Sequence, residues 1–300
     1  MNLNYFIVGA PKCGTTSLFY YLIQHPNVYD PRIKEPHFLC SDFPRLRAVA
    51  DEAAYRKLFA RVTPEHLAVG EASMTYMYSD AALNRILEIN PDSRLLLAVR
   101  NPVDMISSWH SHSLVTLNEN QADFRNAWEL QEERAQGRSI PPHCLEPFFL
   151  QYRQLGMLGG YLQKLYDHFP AENVKVIFSD DLRANTAAVY SDVLDFLRLP
   201  AYPDVHFGEM NVNRSNRSKL LAAITERNVG RRHIRRFDSL RKLLGLQKFG
   251  IRKKLRKLNT VKRQRAKLDP DFRQYLLKEF ESDIGQLARL TGRDLSYWFD

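Results

Sequence analysis

The order of apolar runs and helical patterns along the 300 residues predicts an α/β fold: three layers, a central parallel sheet flanked by helices, plus helical insertions. Three observations carry that expectation. Residues 3–9, LNYFIVG, form a short apolar, aromatic and β-branched run, and a glycine-bearing loop then opens the helical pattern SLFYYLIQHP. Residues 94–100, RLLLAVR, repeat the arrangement, with Pro102 placed to start the following helix. Residues 173–181, NVKVIFSDD, do so a third time between the helical segments GGYLQKLYDHFP and VYSDVLDFLRLP. Uninterrupted apolar strands alternating with helices suit a parallel sheet covered on both faces. A last helix is expected from Pro270, capped by Asp269, with Phe272, Leu276, Phe280, Leu287 and Leu290 as its buried stripe and Gly292 as its end.

Composition narrows the field. With 44% hydrophobic and 26% charged residues the chain is an ordinary globular protein with a sizeable core, read as a single domain over 1–300 with a basic helical insertion at 220–268. Three scattered cysteines, Cys13, Cys40 and Cys144, support neither a disulfide framework nor a structural metal, and they point to a reducing, cytoplasmic setting. A strand begins at Leu3, so no signal peptide is expected, and no 18-residue apolar stretch suggests a membrane span. The net charge of +9 is local: 231–267 carries sixteen Lys or Arg against one acid, Asp238, so the rest of the chain is acidic. Ile234, Phe237, Leu240 and Leu244 give that segment a helical apolar stripe. It therefore packs on the domain, or it makes a peripheral contact with an anionic membrane or acidic polymer. Nucleic acid is not the expected partner.

The first βα connection holds the chemistry. A glycine-bearing loop between a buried strand and a helix points backbone N–H groups and the positive end of the helix dipole at one spot, which suits a phosphate. In APKCGTTS the loop N–H groups from Cys13 and Gly14 to Ser17, the hydroxyls of Thr15, Thr16 and Ser17, and the cation of Lys12 converge there. The plainer alternative is a βα turn whose hydroxyls only cap a helix. Gly9 and Gly14 have the spacing of the phosphate loop G-x-x-x-x-G-K-[ST], but Thr15 stands where its lysine belongs and Lys12 sits inside the loop. That departure argues against a kinase or NTPase and toward a P-loop-like relative that holds another phosphate anhydride.

The string PKCGTTSL at 11–18 resembles the 5′-phosphosulfate loop of sulfotransferases that use 3′-phosphoadenosine 5′-phosphosulfate, the heparan-type and bacterial members above all. A second segment is similar to the 3′-phosphate motif of that family: Arg100 at a strand end and Ser108 about two helical turns later. FLRLP at 196–200 resembles the family's Phe-Leu-Gly-Leu-Pro ending, with Arg198 in place of the glycine. The resemblance covers roughly residues 3–220 and the terminal helix.

What the resemblance implies is sulfuryl transfer from 3′-phosphoadenosine 5′-phosphosulfate to an acceptor hydroxyl, leaving 3′,5′-ADP, without a metal. Lys12 would stabilise the leaving phosphate, and Cys13, Gly14, Thr15, Thr16, Ser17, Arg100, Ser108 and Arg217 would hold the nucleotide. KEPHFL at 34–39 is similar to the segment that supplies an active-site glutamate and histidine, which makes Glu35 the base and His37 its neighbour. Glu35 would need a raised pKa, or an acceptor that acidifies in the transition state. Glu71 aligns with an acid that faces the acceptor cleft, although Ala72 replaces a lysine found in glycan-acting relatives. Trp109 and Trp128 suggest an acceptor with an apolar or sugar face, whereas His110 and His112 read as surface or capped core residues. A glycan, a lipid or a small-molecule alcohol all remain open as acceptors. A P-loop kinase or NTPase, a basic nucleic-acid or membrane module, and a nucleotide binder without transfer are the alternatives.

Overall fold

A computed structural model describes residues 3–49, 51–208, 214–216, 260–262 and 267–300. The chain divides into two compact units, Met1–Met105 with Gly156–Asn211 and Gln274–Asp300, and Ile106–Leu155 with Val212–Arg273.

The first unit holds a four-stranded sheet of β1 (Tyr5–Gly9), β2 (Gly70–Ala72), β3 (Arg94–Val99) and β4 (Val174–Phe178), in the order β2-β1-β3-β4. Every pairing is parallel: Tyr5 sits opposite Gly70 and Arg94, and Leu95 opposite Val174. Tyr5 to Val8 and Leu95 to Val99 are wholly buried, as uninterrupted apolar strands in a parallel sheet require. The helices α1 (Thr15–Leu22), α3 (Asp80–Ile89), α8 (Leu158–His168) and α10 (Thr186–Phe196) gather around the sheet, α1 against α10 and α3 against α8. Along the chain these helices alternate with α2 (Glu52–Lys57), α4 (Pro102–Val115), α5 (Phe124–Glu129), α6 (Gln131–Ala135), α7 (Tyr152–Gly156) and α9 (Ser179–Ala184), of which α5 and α6 belong wholly to the second unit. The expected α/β class with a central parallel sheet is the observed one.

Caps set the helix starts. Ala82 N–H donates to Ser79 Oγ at 2.9 Å before α3, and Ala188 N–H to Asn185 Oδ1 at 3.1 Å before α10. The last helix, α11 (Pro270–Thr291), begins as expected, with Phe272 N–H donating to Asp269 Oδ1 at 3.0 Å, and Gly292 follows it at φ 64°. Its stripe differs from the expected one: Phe272, Leu276, Phe280 and Leu287 are buried, Leu290 is only half-buried, and Leu277, Asp283 and Ile284 are buried as well. Asp283 receives Gly159 N–H and Gly160 N–H, each at 2.8 Å, so a carboxylate of α11 caps the first turn of α8.

The second unit is built on aromatic packing and one buried ion pair. Phe124 meets Tyr152 edge-on at 5.2 Å and Phe272 at 6.0 Å. Glu119 and Arg134 pair with side chains 0% exposed. Two short strands, β5 (Arg214–Asn216) and β6 (Thr260–Lys262), pair antiparallel. Of the 220–268 insertion only 260–262 and 267–268 are described, and most of the basic segment 231–267, with its stripe, lies outside the described residues. No helix among the described residues is long and apolar enough to cross a membrane.

Candidate active site

The loop that the resemblance assigns to the sulfuryl donor, called the donor loop below, leaves β1 at Gly9, where an added Cβ would lie 2.1 Å from Met77 Sδ. Ala10 N–H donates to Ala98 O at 2.7 Å, which ties the loop to β3. From the other side, Ser179 Oγ donates to Cys13 O at 2.6 Å. Lys12 stands at φ 63° and Gly14 at φ 97°, two left-handed residues in three, and a Cβ at Gly14 would also press on Leu182 at 2.9 Å. Gly14 occupies the cap position of α1, and no side chain caps that helix. The first-turn N–H groups at Thr15, Thr16 and Ser17 and the helix dipole therefore face outward from a loop that carries Lys12, an arrangement that can hold an anion. Burial pushes the Cys13 thiol up to about 12, so this residue contributes its backbone and not a thiolate.

Arg100 follows β3 directly. Gly9 of β1 pairs with Leu97 of β3, so these parallel strands release Lys12 and Arg100 at the same edge of the sheet. Arg100 Nη2 lies 3.4 Å from Asp104 Oδ2, whereas its Nε is buried with no partner among the described residues. A buried guanidinium N–H without an acceptor is costly unless a ligand supplies one, and an anion fits that need. Ser108 is a buried residue of α4 within the second unit. Arg217 lies outside the described residues; the adjoining Arg214–Asn216 form β5.

Glu35 and His37 are positioned by the segment that follows β2. Glu35 N–H donates to Ala72 O at 2.8 Å, and His37 N–H to Ser73 Oγ at 3.1 Å. The ring of His37 places Nδ1 2.9 Å from Thr75 Oγ1 and Nε2 3.7 Å from Glu35 Oε2. Lys34 Nζ donates to Glu35 Oε1. Both Glu35 (φ 61°) and His37 (φ 49°) are left-handed, a backbone cost that the surrounding hydrogen bonds sustain. Burial pushes the Glu35 carboxyl up, but Lys34 and His37 outweigh it and leave the group well below the usual carboxylate range. Glu35 is thus ionised at neutral pH, and its side chain, 32% exposed, is open to a reactant. Of the two routes expected for a glutamate base, a raised pKa is not the one this environment provides.

Glu71 is a support and not a wall of a cleft. It is 0% exposed and accepts from Ser73 Oγ at 2.7 Å, Tyr55 OH at 3.2 Å and Tyr76 OH. Burial raises its pKa, and those hydroxyls oppose the shift without cancelling it. Ser73 therefore bridges a buried acid to the backbone of His37. Sequence reasoning missed Ser73 and Thr75: β2 ends at Ala72 and the chain turns at 74–75, and it is this turn that brings the two hydroxyls to His37. The expected aromatic contacts to an acceptor also change: Trp109 is buried with Nε1–H donating to Phe149 O at 2.8 Å, and Trp128 is buried as well. His110 is a core residue, its Nε2 2.8 Å from Gln121 O.

The chain is 24% identical over 204 residues to the bifunctional heparan sulfate N-deacetylase/N-sulfotransferase 1 of Caenorhabditis briggsae, a match covering 66% of this chain and 23% of that protein. It is 28% identical over 204 residues to human heparan sulfate glucosamine 3-O-sulfotransferase 6, covering 67% of this chain and 54% of the relative. The chain thus spans about a quarter and about half of the lengths of these curated relatives. Among solved structures, a sulfotransferase from Alicyclobacillus acidocaldarius superposes with a TM-score of 0.71 at 27% identity, covering 100% of both chains. The sulfotransferase domain matches residues 4–242, a span that begins before the donor loop and takes in Glu35, His37 and Arg100, and the chain belongs to that family.

Proposed function

We propose that this protein transfers a sulfuryl group from 3′-phosphoadenosine 5′-phosphosulfate to the hydroxyl of a glycan, a lipid or a small-molecule alcohol, with Glu35 as the base. The observation that carries the reading is the uncapped start of α1 behind Lys12, beside an arginine whose buried Nε lacks an acceptor. The donor supplies an activated sulfuryl group on a phosphate leaving group. Lys12 and the N–H groups of Gly14 to Ser17 would bind the negative charge of that phosphate, and Arg100, with Ser108 and Arg217, the 3′-phosphate. Glu35, kept ionised by Lys34 and His37, would accept the acceptor's proton. Its low pKa makes it a weak base for a resting alcohol, so the transfer would occur as the sulfur–oxygen bond forms and the hydroxyl acidifies. The free, buried thiols of Cys13, Cys40 and Cys144 suit a reducing compartment, which supports a cytoplasmic location.

Titration calorimetry tests the donor assignment. Adenosine 3′,5′-bisphosphate should bind at least tenfold more tightly than ADP, because a charged contact to the 3′-phosphate contributes about 1.5–3 kcal/mol. Equal affinities would remove the role given to Arg100.

A further inference from the structure

The edge of the sheet opposite the donor loop, where the strands begin, carries a cavity of about 460 Å³. Its lining includes Asn4, Asn90, Asn173, Leu197, Arg94 and Arg198, with Asp92 also present. That volume matches small organic ligands more than a bare ion.

Arg198 stands at φ 57°, in the left-handed region that glycine favours. Its N–H donates to Asp195 O at 3.0 Å and the next N–H, Leu199, to Leu194 O at 2.9 Å, which is the hydrogen-bond pattern of a helix end closed by a left-handed residue. Glycine fills that position without strain, so an arginine here bears a backbone cost that its side chain must justify. Arg198, an exposed residue, lines the same cavity as the half-buried Arg94. The two are close enough for the charge of Arg198, after burial, to lower the pKa of Arg94. No carboxylate pairs with either guanidinium among the described residues, although Asp92 is at hand. The contrast with Lys175 is direct: both it and Arg94 lie over the ring of Phe196, at 5.6 Å and 5.9 Å, but Lys175 has Asp192 at 2.7 Å. The Asn173 side chain likewise has no hydrogen-bond partner among the described residues.

We propose that this cavity is a second ligand site, distinct from the donor loop, that takes a small molecule bearing a phosphate or sulfate ester, with Arg94 and Arg198 on the anion and Leu67, Ala68 and Leu197 against the organic part. Two guanidiniums lining one cavity, neither ion-paired among the described residues and outnumbering its single acid Asp92, one of them at a backbone position made for glycine, are accounted for by an anion that both can reach. Asp92 reduces the net charge of the cavity and selects against more highly charged anions.

The test uses the full chain with its donor loop saturated by adenosine 3′,5′-bisphosphate, repeated in a Lys12→Ala background, so that failure of the donor assignment is read separately. 4-Nitrophenyl sulfate, 4-nitrophenyl phosphate and a heparin-derived oligosaccharide are titrated into wild type, Arg94→Gln, Arg198→Gly and Asp92→Asn. At least one monoester should bind, at least tenfold more weakly in each arginine variant and more tightly in Asp92→Asn. Arg198→Gly should also melt at or above the wild-type temperature, since it relieves the left-handed strain. Monoester binding that is unchanged in both arginine variants, or absent in wild type at millimolar concentration, overturns the proposal. Binding of the oligosaccharide alone overturns the small-ligand assignment.

Discussion

Two glutamates, one in each unit, share a lowered pKa and differ in how far a second molecule can reach them. Glu119 accepts from Asn120 N–H and Gln121 N–H, each at 2.8 Å, from Arg134 through both Nη atoms at 2.7 Å, and from Tyr152 OH at 2.6 Å. Glu35 has Lys34 on one oxygen and His37 3.7 Å from the other. In each, burial pushes the carboxyl up and cationic or hydrogen-bonding neighbours pull it below the ordinary range. The difference lies in what is left over. Glu119 is sealed and its oxygens are fully engaged, so no further proton donor can approach it. Glu35 keeps a third of its side chain in the open and has lone pairs to spare. A depressed pKa therefore marks a charged partner, and access decides whether the acid is structural or chemical.

The largest test of that contrast is Arg134→Met, which leaves Glu119 charged and unpaired. The loss should be about 3–5 kcal/mol in urea unfolding at neutral pH. Because the folded Glu119 value lies below the unfolded one near 4.3, its stabilising contribution is complete above that pH and is lost as pH falls through the folded value. The gap between wild type and variant should therefore narrow in acid. A gap that is constant with pH would show that the network does not depend on the charge of Glu119.

Glu35→Gln should show in the rate first: turnover falls roughly 100-fold or more, and because Lys34 and His37 hold the carboxylate below its ordinary range, the unfolding free energy at neutral pH also falls, by less than in Arg134→Met since the Glu35 side chain is partly solvated. The same low pKa sets the acid limb of the rate profile below about pH 4.3, and that limb should disappear in the variant. An acid limb near neutrality that survives Glu35→Gln would assign the base to another group. The smallest effect is expected from Thr75→Val, which keeps the shape and removes the partner of His37 Nδ1. Turnover should drop roughly two- to tenfold with donor affinity unchanged, the range for one hydrogen bond. A loss as large as that of Glu35→Gln would mean that His37, and not Glu35, is the acid-base group.

The donor loop, the three longer strands and the helices α8, α10 and α11 were legible because each is written in adjacent residues: an apolar run, a cap, a glycine. The second unit was not. Arg134 lies in QEERA, which reads as a solvated turn of helix, and only its meeting with Glu119, fifteen residues earlier, makes it a core residue. Asp283 reads as a surface acid for the same reason, since the N–H groups that it caps are more than 120 residues away. Glu35 and His37 were found through their resemblance to a known segment, whereas the hydroxyls that orient His37 were missed. Trp109 and Trp128 misled because an indole has the same chemistry in a core as in a cleft.

Asp180 and Asp181, next to the serine that anchors the donor loop, are gripped from far downstream. Trp298 Nε1–H donates to Asp180 Oδ2 at 3.1 Å and Arg293 Nη2 to Asp181 Oδ1 at 2.7 Å across 112 residues. At a translation rate of 5–20 residues per second, a ribosome needs about 6–22 s to cover that distance. All four strands of the sheet leave the ribosome before the clamp exists. A nascent chain stalled short of residue 293 would thus carry a finished sheet and an unsecured loop at 10–14, and any anion binding that rests on that loop should arrive late in synthesis, well after the core has formed.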